Sequence, residues 1–147
     1  MDLRPVRHVL HAIATTIVPE TSSVESRAWL EMEAVVAGAL SNRPARLQRQ
    51  FIVFLRLLQA LPLVRHGRTF TALSEHKRAA FLASVEHSKL LVVRRGFWGV
   101  RTLIFMGYYT REDVADAIGY CPSANGWAAR GGTVATVPLA PALWVEP

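Results

Sequence analysis

Two histidines, His8 and His11, are the pair of side chains whose spacing first suggests metal chemistry. They are three residues apart and so share one face of a helix, as paired metal ligands do. A zinc site needs a third and usually a fourth ligand, and the other histidines, His66, His76 and His87, are scattered. We therefore expect no metal site and interpret His8 and His11 as solvated flanks of an amphipathic helix.

Catalytic motifs are equally hard to find in this chain. No serine lies in a G-x-S-x-G nucleophile turn, and the single cysteine, Cys121, precedes Pro122 without a paired histidine. The segment 126–132 (GWAARGG) lacks the Lys-Ser/Thr of a phosphate-binding loop, and no G-x-G-x-x-G dinucleotide fingerprint occurs. We predict a non-catalytic chain that binds no cofactor and has no redox activity of its own.

Aromatic side chains and arginines are concentrated in the segment that ends at Trp127. Four rings with a hydroxyl or indole group lie within twenty residues there, beside glycines and arginine. Such rings bury well in any core, but the composition also matches that of interface hot spots. We favour an interface with a partner protein. The residues predicted to form it are Tyr108, Tyr109, Arg111, Tyr120, Trp127, Arg130, Val137, Leu139 and Trp144.

The composition describes one apolar, basic domain. The chain has 147 residues, of which 51% are hydrophobic, a fraction at the upper edge for a soluble protein. Seventeen Lys and Arg against eleven Asp and Glu give a net charge of +6. Because these cations form no run of five or six, nucleic-acid binding by a basic helical protein is the weaker alternative, and we expect no nucleic-acid partner.

The compartment is predicted from the cysteine count and from the hydropathy of the chain. One cysteine excludes an internal disulfide framework and fits a reducing compartment. The N-terminal segment is not a convincing secretory signal. The most apolar run, 51–58, contains Arg56 and is far shorter than the roughly 20 residues that a membrane span needs. We expect a cytoplasmic protein without a membrane span.

Hydrophobic periodicity predicts an all-α fold, a compact bundle of five to six helices. The first helix ends before Pro19, and Ser22 with Glu25 forms a capping box that opens the second. A third helix runs from Pro44 to Pro62 and is apolar on more than one face, so we expect it to be the most buried element. Its predicted interior side chains are Leu47, Phe51, Phe54, Leu55, Leu58 and Leu61.

The remaining helices are predicted from serine, threonine and glycine positions. Residues 63–71 form a loop, and Ser74 caps a fourth helix that extends to about Val93. Gly96 and Gly99 then mark a break before a short helix over 100–106. A last helix begins at Thr110 and ends at Gly119.

After residue 120 the periodicity ends and prolines and glycines become frequent. We predict an extended C-terminal arm that lies along a partner. The expected organisation is a helical domain over 1–122 and a partner-binding tail over 123–147.

Two stretches resemble a known family. LHAIATTIVPET, from Leu10 to Thr21, is similar to the opening of gluconate 2-dehydrogenase subunit 3 proteins, in which a helix runs into an I-P-E-T turn. The segment 70–122, with its GYY and IGY–P elements, also resembles that family. It is similar as well to the helical region that precedes the flavin domain of long-chain alcohol oxidases. The resemblance covers roughly residues 10–122.

The resemblance implies a role beside another protein. Members accompany a large flavoprotein of the glucose–methanol–choline (GMC) type, which holds FAD and oxidises an alcohol group of a sugar, steroid or other alcohol. The small subunit binds, stabilises or helps to export that partner. Many members carry a twin-arginine signal that this sequence does not show, so a cytoplasmic complex is expected. Cys121 stands where glycine is frequent in the family.

Overall fold

Six α-helices make up most of the chain in the computed structural model, which describes residues 2–120. They are α1 (Arg7–Ile17), α2 (Ser26–Ser41), α3 (Ala45–His66), α4 (Glu75–Glu86), α5 (Leu91–Tyr109) and α6 (Glu112–Ala117). Three short 3-10 turns join them, at Arg4–Val6, Pro19–Ser23 and Phe70–Ala72. No strand occurs within residues 2–120, and the predicted all-α bundle is confirmed. The predicted arm lies outside the described residues.

The helix at the centre of the bundle is α1. It packs against α3, α4, α5 and all three 3-10 turns. Its apolar side chains recur on one face, as the sequence predicted, and that face is fully buried at Val9 and Ile13. The prediction that the third helix is the most buried element is therefore wrong.

Only one face of α3 is buried, through Phe51, Leu55, Leu58 and Pro62. Leu47 and Leu61, which were predicted to be interior, are 45% and 46% exposed. The apolar side chains of α3 outnumber the positions that face the core, so periodicity overestimated its burial.

The predicted end of the third helix at Pro62 is also wrong. Pro62 lies inside α3, which continues to His66 and ends at Gly67, a residue with φ of 63°. A proline removes one hydrogen bond and strains the preceding turn of a helix. Here the ring is almost completely buried in the core, and this burial offsets the cost.

The break predicted at Gly96 and Gly99 does not exist. The helices separate earlier, between Glu86 and Leu91, and α5 then runs without interruption through both glycines. A Cβ atom on Gly96 would lie 2.8 Å from Cε2 of Phe54. Gly96 is thus needed because α5 lies close against a phenylalanine of α3, and not because the helix ends there.

Two predicted helix starts are displaced. The chain forms a 3-10 turn through Ser22, and α2 begins at Ser26 with Glu25 as its N-cap residue. The last helix begins at Glu112, not at Thr110, because the Thr110 hydroxyl donates to the Met106 carbonyl oxygen at 2.7 Å and so completes the end of α5.

The most extensive helix pairing joins α2 to α5. A Cβ atom on Gly107 would lie 3.1 Å from the carbonyl oxygen of Met32, so the two backbones approach closely at this point. Along α5, Gly96 faces α3 and Gly107 faces α2. Since a helix rises 1.5 Å per residue, these two contacts are about 16 Å apart.

Candidate partner-binding surface

The C-terminal end of α5 and the packed helix α6 expose aromatic and apolar side chains. Tyr109 is 48% exposed, Ile118 is 61% exposed and Tyr120 is 60% exposed. We call this region the aromatic end and define it by Tyr108, Tyr109, Arg111, Ile118 and Tyr120. Several exposed large apolar side chains at one end of a fold make that end a candidate for a surface that a partner covers.

Within the aromatic end the rings are held in fixed positions by one another. The Tyr108 and Tyr109 rings meet edge to face with their centroids 5.2 Å apart. Phe105, one helical turn earlier, packs edge to face against Tyr109 at 6.0 Å. Since aromatic pairs favour such geometry, Tyr109 is positioned before any partner arrives.

Tyr108 is the inward-facing member of this pair. Its ring packs against the hydrophobic core. Burial raises the pKa of the Tyr108 hydroxyl above its ordinary value, the negative charge of Glu20 acts in the same direction, and Arg111 opposes both. Tyr108 is therefore a neutral hydrogen-bonding group at physiological pH.

Arg111 connects α5 to α6 through its guanidinium group. Its side chain is 14% exposed, and Nε and Nη2 donate to the two carboxylate oxygens of Asp113 at 3.1 and 2.5 Å. The guanidinium carbon lies 5.8 Å from the centre of the Tyr108 ring. Because Nε and Nη2 are bonded within the protein, the direction of the third guanidinium nitrogen, Nη1, is fixed.

Two clefts open on either side of Arg111. One has a volume of about 390 Å³ and is lined by Glu31, Gly107 and Glu112 among others. The second, of about 440 Å³, is lined by Glu20, Glu25 and Tyr108 among others. Arg111 and Asp113 belong to both clefts. Carboxylates therefore line the clefts beside Arg111, although the chain as a whole is basic.

The structure describes four of the nine residues that the sequence assigned to an interface. Tyr108, Tyr109 and Arg111 lie together, and Tyr120 follows α6 at the end of the described chain. The other five lie outside the described residues: Trp127, Arg130, Val137, Leu139 and Trp144.

A polar cluster between α1 and α2 was missed at the sequence level. His11 was interpreted as a solvated flank, and this is wrong: its Nε2 lies 2.6 Å from Oε1 of the buried Glu33. The other Glu33 oxygen accepts from Arg7 through Nε at 2.8 Å and Nη2 at 2.6 Å. The His11 ring stacks on Trp29 with centroids 3.9 Å apart. The signal was Glu33 itself, a carboxylate inside the apolar stripe of α2.

Neither the aromatic end nor the polar cluster around Glu33 has the composition of a metal centre. Within residues 2–120, no three side chains of His, Cys, Asp or Glu converge in a way that would hold a metal ion. One carboxylate oxygen of Glu33 contacts Arg7 and the other contacts His11. Such contacts are those of a structural link between helices.

One helix in the described part of the chain, α3, has the length and composition of a membrane span. Its mean hydropathy reaches 1.2 over an 18-residue window, and 22% of that window is buried. This test uses length and composition alone, and the core helix of a soluble protein passes it as well.

Comparison with known protein families shows to which family the chain belongs. A family model described as gluconate 2-dehydrogenase subunit 3 matches residues 6–126. This chain belongs to the gluconate 2-dehydrogenase subunit 3 family. No curated protein and no solved structure matches the chain. The matched range includes all six helices and the whole aromatic end. The candidate surface therefore lies within the part of the chain that matches the family.

Proposed function

We propose that this protein is a non-catalytic small subunit that binds and stabilises a large FAD-dependent oxidoreductase of the GMC type, which acts on an alcohol, sugar or steroid. The observation that carries the proposal is membership of a family described as a subunit of a dehydrogenase. In this arrangement FAD belongs to the partner, and the small subunit supplies no cofactor and no reacting group.

The aromatic end is the part of the surface best suited to bind that partner. Tyrosine carries a large rigid ring and a polar hydroxyl and loses little conformational entropy on binding, so it is frequent among hot-spot residues. Tyr109 is already held by Phe105 and Tyr108. A partner that covers Tyr109, Ile118 and Tyr120 would bury apolar area without reorganising the small subunit.

The acidic clefts beside Arg111 add selectivity to this surface. Glu20 and Glu25 line one cleft and Glu31 lines the other. Carboxylates around an apolar centre favour a partner surface with complementary cations and reject one with like charges. We infer that the flavoprotein presents an apolar patch rimmed by arginine or lysine to this end of the bundle.

Co-expression with a candidate GMC-type flavoprotein tests the proposal. The variant Tyr109→Ala/Tyr120→Ala should lower the affinity of the complex by on the order of 100-fold, since a loss of about 1.4 kcal/mol at each tyrosine, within the range for contributing interface residues, is a factor of about ten for each. Trp98→Ala is the matched control, because Trp98 is an aromatic residue of α5 that is 53% exposed and precedes Tyr109 by 11 residues, about 16 Å along the helix. The measurement is the dissociation constant from titration of the purified subunits.

Two results would contradict the proposal. One is equal loss of affinity in the tyrosine variant and in the Trp98 control. The other is a stoichiometric flavin absorbance band, or dye-linked alcohol oxidation, in the purified small subunit alone. A cytoplasmic location for the complex remains a proposal and is tested by fractionating cells that express both chains.

A further inference from the structure

Two long stretches of this chain carry basic residues and no acidic ones. Residues 34–74 contain six arginines and no Asp or Glu, and residues 87–111 contain no Asp or Glu either. The carboxylates lie elsewhere, many of them around the aromatic end. α3 therefore carries four arginines, Arg46, Arg49, Arg56 and Arg65, without a carboxylate, and the first half of α5 carries Arg94 and Arg95.

The outer face of α3 combines those cations with apolar side chains. Val53, Leu57 and Val64 are 53%, 52% and 93% exposed and recur at helical spacing, on the side opposite the buried residues. Arg49 and Arg56, which are seven residues apart, are exposed along the edge of this apolar stripe. We call this surface the α3 face. It is an amphipathic arrangement in which no side chain carries negative charge.

The α3 face and the aromatic end are separate surfaces. α3 meets α5 at Gly96, and Arg111 follows Gly96 by 15 residues. Since most of this distance is helical, the two regions are about 20 Å apart along the bundle. A partner bound at the aromatic end therefore leaves the α3 face available.

We propose that the α3 face docks on an anionic phospholipid surface. In such docking the helix lies in the plane of the interface, its exposed aliphatic side chains enter the boundary of the acyl chains, and its arginines contact lipid phosphates. Crossing the membrane would require α3 to leave the bundle and expose Phe51, Leu55 and Leu58, which belong to the core. The protein binds at the surface and keeps its fold.

Charge and side-chain type together favour the lipid surface over three other occupants. A second copy that presented its own α3 face would bring like charges together. A duplex nucleic acid would neutralise the arginines but would leave Val53, Leu57 and Val64 without an apolar partner. An acidic protein would match the charge, but the exposed stripe contains only aliphatic side chains, whereas protein interfaces favour aromatic ones.

Vesicle co-sedimentation with the full-length chain tests this proposal. Vesicles of mixed phosphatidylcholine and phosphatidylglycerol should bind the protein, vesicles of phosphatidylcholine alone should bind it far less, and added salt should weaken the binding. Arg49→Gln/Arg56→Gln and, separately, Leu57→Gln/Val64→Gln should each lower the partition coefficient by roughly tenfold or more. Circular dichroism confirms that each variant is folded.

The matched controls lie on α2. Arg27→Gln removes an exposed cation that pairs with Glu31 at 3.2 Å, and Leu30→Gln removes an apolar side chain that is 56% exposed. Both controls should bind the mixed vesicles as the unmodified chain does. Equal loss in the α2 and α3 variants would show that binding follows overall charge or hydropathy, and the proposal would then be wrong.

Other outcomes also overturn the proposal. One is equal binding to both kinds of vesicle, and another is sedimentation of the protein without vesicles. A third is binding to duplex DNA that the α3 variants weaken, together with no binding to vesicles. Protection of α3 from hydrogen exchange by the flavoprotein, together with absent vesicle binding, would assign the face to an acidic protein. Lipid docking goes beyond the proposed function. Because vesicle binding is measured on this chain alone, lipid docking and flavoprotein binding can each fail without the other.

Discussion

Glu33 is the buried carboxylate that joins α1 to α2. It accepts hydrogen bonds from Arg7 and lies 2.6 Å from the ring nitrogen of His11, while its own side chain is 9% exposed. Glu33→Gln keeps the shape but removes the charge. Because Arg7 and His11 are 44% and 30% exposed, water can reach them in the variant, and we expect a loss of about 1–2 kcal/mol in the free energy of unfolding.

Urea unfolding measures this loss, and Glu31→Gln provides the comparison on the same helix. Glu31 is 58% exposed and pairs only with the exposed Arg27 within α2, so its replacement should change stability by less than about 0.5 kcal/mol. If the two variants were equally stable, Glu33 would be no stronger a link than an ordinary surface ion pair.

The contrast between His11 and the tyrosines shows what single residues reveal in a sequence. Tyr108, Tyr109 and Arg111 are close in the chain and therefore close in space, so their association could be predicted. His11 and Glu33 are 22 residues apart, and periodicity gives the face of each helix but not which faces meet. A pair of this kind becomes visible only when the packing of α1 against α2 is known.

At the level of helices, Gly107 determines how closely α2 and α5 pack. In Gly107→Ala the new Cβ atom would lie 3.1 Å from the Met32 carbonyl oxygen, a backbone atom that moves only if the helices separate. We expect the variant to lose about 1–3 kcal/mol of stability, the range found for overpacking. Thermal and urea unfolding of the purified chain measure the change.

Gly99→Ala is the control for that substitution. Gly99 lies in the same helix, and a Cβ atom there would meet nothing within 4 Å. Alanine should therefore raise stability by about 0.5–1 kcal/mol through its higher helix propensity. If both variants gained stability, the close approach of α2 and α5 would not constrain position 107.

Helix boundaries were the least predictable part of the fold, for a physical reason. The all-α class, the end of α1 before Pro19 and the start of α4 directly after Ser74 follow from local chemistry and agree with the structure, although the Ser74 side chain makes no capping hydrogen bond. Pro62 and Gly96 were interpreted as local breaks, but tertiary packing decides both positions. The ring of Pro62 is buried in the core, and the absence of a Cβ atom at Gly96 leaves room for the Phe54 ring.

At the scale of the whole molecule, the two proposed surfaces would meet two kinds of partner, and the predicted C-terminal tail would extend the first of them. We expect deletion of residues 128–147 to lower the yield and the thermal stability of the co-expressed flavoprotein, since apolar tail residues would bury area against it at about 25 cal/mol per Å². The triple variant Val137→Ser/Leu139→Ser/Trp144→Ser should reproduce most of the effect.

Serine at Ala135 and Ala140 is the matched control, because it changes polarity while removing almost no apolar area. Co-purification yield and melting temperature of the complex are the measurements. A truncated chain that co-purified with an equally stable and active flavoprotein would show that the tail contributes nothing to the interface.

The pairing of α2 with α5 has a consequence for synthesis on the ribosome. Gly107 follows Met32 by 75 residues, so at roughly 5–20 residues per second α2 waits about 4–15 s for the part of the α5 backbone that it packs against. During that interval Met32, Val36 and Leu40, buried in the finished protein, have no α5 to cover them. A nascent chain arrested before Gly107 should therefore be a substrate for chaperones and proteases, whereas release of the complete chain lets the bundle close.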